Sequence, residues 1–273
     1  MLHDAPGPTR VLAGGTDLIV QMSAGMVDPD LIIDIKRIPG IREIVAEDGG
    51  FRIGAGVSCA ELGEHAALRE AWPGVVGGAT LIGSTQVQGR ATMTGNLCNA
   101  SPAADSVSGL VAAGAVARIA GPGGERDCPV MEIPAGPGRT TLGRGEFIVS
   151  LFLPARPPRS ADAYLRFTPR TEMDIAVAAA AVNLSLAEDG SVAAARVALG
   201  AVAPTVRLVE AAGAALTGTR LEPAVLDTLA AACSAACAPI DDKRGTVEFR
   251  TKVAGVLARR AAQIAYSRAG GRT

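Results

Sequence analysis

Apolar positions in the first half of the chain come in short runs cut by glycine. Val11, Leu12 and Ala13 lead into Gly14-Gly15, and Leu18, Ile19, Val20 and Met22 then recur at a spacing that predicts strand, turn and short helix. Residues 31–35 and 41–45 read as β segments, and the Asp48-Gly49-Gly50 turn ahead of 51–56 predicts an antiparallel hairpin. Ser58 stands three residues before Glu61, a capping-box spacing that opens a helix over 59–70, with a second helical piece over 75–81. A helix over 106–115 and strands near 116–120 and 147–153 follow, the two strands separated by a Gly/Pro stretch at 135–139.

Pro154, Pro157 and Pro158 stiffen the chain and end the strand before them, so a boundary is expected there, with one domain over 1–157 and a second over 162–267. The second opens with long strands, 176–186 and 192–201, joined at the hairpin pair Asp189-Gly190. The alanines at 176–181 suit a helix by propensity, but the hairpin signal favours a strand. Alanine-rich helices near 206–216, 223–236 and 246–266 complete an α+β pattern.

Composition narrows the function classes. Of 273 residues 48% are hydrophobic, and 26 basic against 27 acidic residues give no field for nucleic acid or anionic lipid. The longest apolar stretch, 175–186, is interrupted by Asn183 and Ser185 and is too short for a membrane span; with no signal-peptide pattern at the start, a cytoplasmic protein is expected. The cysteines are odd in number and scattered without a Cys-x-x-Cys, so no disulfide framework, zinc site or iron–sulfur site is expected; Cys233 and Cys237 read as small buried thiols. Two histidines leave little material for a triad or a metal site, and His65 reads as a solvated helix residue. No metal ligand set and no side-chain catalyst is expected.

Chemistry concentrates in two small-residue stretches. In Leu12, Ala13, Gly14, Gly15, Thr16, Asp17 and Leu18 the glycines allow close backbone approach, and unpaired amides at a helix start can donate to an anion; read alone, Gly14-Gly15 is more simply a plain chain reversal and decides nothing. Residues 92–105 read as a long loop in which Thr92, Gly95, Asn96, Ala100 and Ser101 offer polar groups in little volume, and Asp105 is suited either to a sugar hydroxyl or to capping the next helix. Neither Gly-Lys-Ser/Thr nor Gly-x-Gly-x-x-Gly occurs, since Gly54-Ala55-Gly56 is followed by Val57, Ser58 and Cys59; an ordinary NTPase or Rossmann domain is disfavoured. Two such loops suit one extended phosphorylated ligand.

At these residues the chain resembles the FAD-binding subunits of the molybdenum hydroxylases, the family of carbon monoxide dehydrogenase and xanthine dehydrogenase. Ala-Gly-Gly-Thr-Asp-Leu is intact at 13–18, and Thr-x-Gly-Gly-Asn followed by Asn-Ala-Ser-Pro-x-x-Asp stands at 92–105 with one substitution. Similar segments at 52–57, 145–150, 174–178, 198–204 and 242–250 extend the likeness over nearly the whole chain. The resemblance implies a two-lobed FAD-binding domain followed by an antiparallel sheet with helices. It implies that Leu12 to Leu18 wrap the FAD pyrophosphate, that Thr92, Gly95, Asn96, Ala100, Ser101 and Asp105 form the opposite wall, and that Val149, with Ile148 beside it, packs on the flavin ring. Arg166 falls where many members carry a lysine near the ring or its phosphates; its other reading is an exposed strand residue.

The resemblance also implies partners: a large molybdopterin subunit and a small [2Fe-2S] subunit, assembled as a dimer of heterotrimers, with FAD passing electrons to an external acceptor. Rival readings are a self-sufficient FAD-dependent oxidoreductase acting directly on a small substrate, and an assembly scaffold that has lost FAD. Several positions depart from the family. Thr94 replaces a glycine, Gln88-Gly89 replaces an Arg-Asn pair, and Phe249 replaces a tyrosine. Only ten residues precede Val11 where relatives begin with an additional strand and helix, so a less stable first lobe is expected.

Overall fold

The computed structural model describes residues 2–271. In the first lobe β1 (Thr9–Leu12) pairs in parallel with β2 (Leu31–Asp34), and α1 (Leu18–Ser23) makes the crossover that a parallel pair requires. The expected hairpin is present as β3 (Ile44–Glu47) and β4 (Gly50–Gly54). Its first strand begins three residues later than the apolar pattern predicts, because Ile41 is used in the core beneath the first lobe, 3% exposed, rather than in the ladder.

The second lobe sets helices against an antiparallel sheet. The helices are α2 (Cys59–Glu64), α3 (Ala66–Ala71), α4 (Pro73–Ala79), α5 (Thr85–Gln88), α6 (Met93–Cys98) and α7 (Asp105–Ala113). The strands β5 (Val116–Gly121), β6 (Gly124–Pro129) and β9 (Phe147–Leu153) complete a sheet in the order β3-β4-β9-β5-β6, with the small hairpin β7 (Pro134–Gly136) and β8 (Arg139–Thr140) projecting from it. Trp72, Leu62, Leu68, Leu97, Leu110, Ile119 and Leu151 fill the space between helices and sheet.

Two expectations are corrected here. The capping box at Ser58 and Glu61 forms, but the helix expected over 59–70 breaks at His65, whose Nδ1 accepts from Leu68 N at 3.1 Å and so caps α3. The stretch 92–105 is not a continuous loop: Thr92 opens α6 within it.

The C-terminal sheet runs β10 (Ser160–Phe167), β11 (Ala178–Leu186), β12 (Val192–Gly200) and β13 (Arg207–Leu208), antiparallel throughout, and carries α8 (Glu210–Leu216), α9 (Pro223–Ala235) and α10 (Val247–Arg268). Ala178, Ala180, Val182 and Leu184 pack toward these helices, whereas Ala179, Ala181, Ala198 and Tyr164 join the core of the second lobe. Both sheet faces are therefore buried, which explains why 176–186 reads as one apolar run and not as an alternation.

Helix α7 lies at this junction with all nine residues buried. Its last carbonyls are met from the C-terminal sheet: Arg196 donates to Val111 O and Ala112 O at 3.1 and 3.2 Å, and Asn183 Nδ2 to Ala112 O at 3.3 Å. Gly114, at φ 70°, ends the helix in the left-handed conformation. Nearby, Arg156 from the proline-rich segment stacks 4.2 Å from the Trp72 ring and pairs with buried Asp162 at 3.1 Å. Asp162 also accepts from Val75 N at 2.9 Å, at the start of α4.

Candidate functional site

The two small-residue stretches meet because Gly14 has no side chain. A Cβ there would stand 1.9 Å from Arg90 O, so only glycine lets the first bend lie directly on the backbone leading into Thr92. Gly15 turns the chain at φ +80°, a conformation that costs a side chain about 1–2 kcal/mol. The amides of Gly14 through Leu18 donate to no backbone or side-chain group among the described residues. Lys36 fixes the start of the bend by donating to Ala13 O at 3.0 Å while paired with Asp34 at 2.8 Å.

The second stretch is shaped by its own polar side chains. Thr92 Oγ1 accepts from Gly95 N at 2.9 Å, and Asn96 Oδ1 accepts from Ser106 N and Oγ at 3.2 and 2.7 Å, fixing α6 to the start of α7. Thr94 is accommodated as a helical residue of α6, 6% exposed. Ala100 holds φ +49° and accepts from Gly138 N at 3.1 Å, which brings the β7–β8 hairpin against this loop. Across the gap Asn99 Nδ2 donates to Asp17 Oδ1 at 3.2 Å, and Gln21 Nε2 donates to Asn99 Oδ1 at 3.1 Å.

Between them lies a cavity of about 500 Å³. Leu12, Ala13, Gly14, Gly15, Thr16, Asp17 and Leu18 form one side, and Thr92, Thr94, Gly95 and Asn96 the other, with Ile148 and Phe147 at its base. Gly138, Thr140 and Leu142 close a third side that the sequence reading did not assign. The Gly136-Pro137-Gly138 turn was the available signal for it; Asn99 opens the Asn-Ala-Ser-Pro-x-x-Asp segment but was given no role of its own, and Gln21 carries no signal.

Five expected residues stand behind these walls. Val149, opposite in facing to Ile148 along β9, packs against the Ile35, Ile41 and Ala55 cluster below the first bend. Ala100 is 3% exposed, and Ser101 Oγ accepts from Ala103 N at 3.3 Å. Asp105, 9% exposed, accepts from Tyr164 Oη at 2.8 Å and from Arg166 Nη1 at 2.5 Å. Arg166 is thus not an exposed strand residue: 7% of its side chain is open. Burial pushes the Asp105 carboxyl up to about 6, against the pull of Arg166 and Tyr164 toward the ionised form.

The cavity can take an anion. Of its acidic lining, Glu146 is held in a two-point pair by Arg126 at 2.8 Å and lowered to about 2, while the Asp17 carboxylate accepts from Asn99. Cys98, also on the wall, is pushed up to about 12 by burial and stays a protonated thiol. Among the described residues no group of His, Cys, Asp or Glu could hold a metal ion, and no helix is long and apolar enough to cross a membrane.

The sequence profile of the FAD binding domain in molybdopterin dehydrogenase matches residues 2–156, and that of the CO dehydrogenase flavoprotein C-terminal domain matches 163–265. The chain is 33% identical over 260 residues to the carbon monoxide dehydrogenase medium chain of Afipia carboxidovorans, covering 95% of this chain and 90% of the relative. It is 29% identical over 274 residues to a putative xanthine dehydrogenase FAD-binding subunit of Escherichia coli, covering 100% and 93%. The crystal structure of a Cu,Mo-CO dehydrogenase in its cyanide-inactivated form matches with a TM-score of 0.92 at 33% identity, over 96% of this chain and 91% of that one.

Proposed function

The chain belongs to the family of FAD-binding subunits of the molybdopterin dehydrogenases, and on that premise we propose that it is the electron-transferring flavoprotein of a three-part molybdenum hydroxylase. It is an oxidoreductase subunit with an FAD-binding domain and a CO dehydrogenase flavoprotein C-terminal domain. The observation that carries the reading is the single cavity in which the unpaired amides of Gly14 to Leu18 face Thr92, Gly95 and Asn96 without an unengaged carboxylate between them. Those amides would hold the pyrophosphate, with the second stretch as the opposite wall. Ile148 and Phe147 exclude water from the cavity's base, while Val149 supports the first bend from below.

Bound FAD supplies the redox chemistry, accepting electrons and releasing them to a second acceptor. The chain's own part is placement and charge: Asp105, Tyr164 and Arg166 set one fixed charge cluster behind the second wall. The partners in this reading are a large molybdopterin subunit and a small [2Fe-2S] subunit that delivers the electrons, in a dimer of heterotrimers. The assembly sits in the cytoplasm, where free thiols such as Cys59 and Cys98 remain reduced. The division into 1–157 and 162–267 belongs to the same proposal.

A self-sufficient enzyme would need a free acid or base beside the flavin; of the two carboxylates on the lining, Glu146 is held by Arg126 and Asp17 accepts from Asn99. Isolation of the native protein from its source tests the choice. Flavin bands in the visible spectrum together with a larger and a smaller co-purifying subunit are expected. A colourless protein would refute flavin binding, and a yellow protein that turns over substrate alone would favour the self-sufficient enzyme.

A further inference from the structure

Asp17 occupies the N-cap position of α1; its carbonyl accepts from Gln21 N at 2.9 Å, yet its side chain accepts nothing from its own helix. An aspartate at that place ordinarily accepts from an amide two or three residues on. Here its carboxylate accepts from Asn99 Nδ2 at 3.2 Å instead, and the carbonyl of the same Asn99 accepts from Gln21 Nε2 at 3.1 Å. One side chain, just beyond the end of α6, therefore bridges two positions one helical turn apart on the first bend. All three residues line the cavity, Asp17 is exposed and Asn99 half-buried, so the bridge lies at the cavity's outer edge.

We propose that Asn99 is a positioning residue: a latch between the two FAD-holding stretches that sets how fast the cofactor leaves. The inference rests on the FAD reading above. The latch is made only of protein atoms, and it resists any separation of the stretches that would ease a ligand's exit. Its second effect is orientation, since the amide donor holds one Asp17 carboxylate oxygen on Asn99. The remaining charged groups of the lining are Arg10 and Glu146, the latter held by Arg126.

The test is the rate of FAD release from the full chain in its native complex, followed by recovery of flavin fluorescence. Asn99→Ala should release FAD roughly fivefold faster, the loss of a hydrogen bond to a partly solvated carboxylate. Asn99→Asp should release it fast at about pH 8, where two carboxylates oppose each other, and slowly at about pH 5, where they share a proton. The exchanged pair Asp17→Asn with Asn99→Asp restores an amide–carboxylate bond and should return the wild-type rate at both pH values, which a general packing defect at 99 would not do. Wild-type rates in Asn99→Ala and Asn99→Asp would overturn the latch and leave FAD binding standing. A wild-type complex that retains no FAD would overturn both.

Discussion

Arg166 and Asp105, 61 positions apart, form a buried ion pair across the junction of the two domains, with Tyr164 on the second carboxylate oxygen. Tyr164 and Arg166 are two apart on β10 and so share a face of the strand. The pair has a definite pH signature. Because burial raises Asp105 to about 6, the folded chain binds this proton more tightly than the unfolded chain does. Stability from this group is fully present below the unfolded value and is lost as pH rises through about 6. Wild type should therefore lose stability relative to Asp105→Asn across this window in urea titrations at stepped pH; a constant difference would show an ordinary carboxylate.

Removing the cation alone should be worse than removing the carboxylate. Arg166→Ala leaves Asp105 ionised in a buried site or forces it to take a proton, at a cost of about 3 kcal/mol of unfolding free energy read from denaturant titration. The same variant should lower the reduction potential of the bound flavin, since a positive charge that favours the reduced form is lost. An unchanged potential would place the pair out of electrostatic reach of the ring.

At the first bend the outcome turns on backbone overlap. Gly14→Ala drives a Cβ into Arg90 O, 1.9 Å away, and can be relieved only by separating the two stretches. Gly15→Val adds bulk at φ +80° against Ile19 and Leu12 at 2.9 Å. Each should weaken FAD binding about 100-fold, the equivalent of about 3 kcal/mol, while the C-terminal helices keep their circular dichroism. Full flavin content in either variant would disprove the assignment of the bend.

The proline-rich segment should behave as a fastened strap. Trp72 is the chain's one tryptophan, so its fluorescence reports the Arg156 guanidinium 4.2 Å from its ring. Asp162→Ala leaves that guanidinium half-buried without its partner and should cost about 3 kcal/mol, with a shift of Trp72 emission before global unfolding. Emission that changes only with global unfolding would make the pair a bystander.

Local signals were legible wherever a neighbouring residue decided the conformation. The Asp189-Gly190 turn, the Ser58–Glu61 box and the strand over 147–153 stand where the pattern predicts them. Features set by distant partners were not. The β1–β2 pair is parallel and leaves no hairpin signal, and the apolar pattern along β10 is interrupted by Asp162 and Arg166, whose charges are satisfied by Arg156 and Asp105 from elsewhere. The walls at Leu12–Leu18 and Thr92–Asn96 were readable from glycine and small polar residues. The roles of Asp105, Val149 and Asn99 depend on what lies opposite them in space, which spacing along the chain does not encode.

Helix α7, which ends the second cofactor stretch, is clamped at one end by residues 164 and 166 and at the other by 183 and 196. During vectorial synthesis both glycine bends leave the ribosome long before those clamps do. A nascent chain halted at 159 owns every wall of the cavity and none of the grips that hold one wall in place. Flavin loading is accordingly expected to come late in biogenesis, and a truncation in the second half is expected to loosen one wall of the cavity without altering a single residue of its lining.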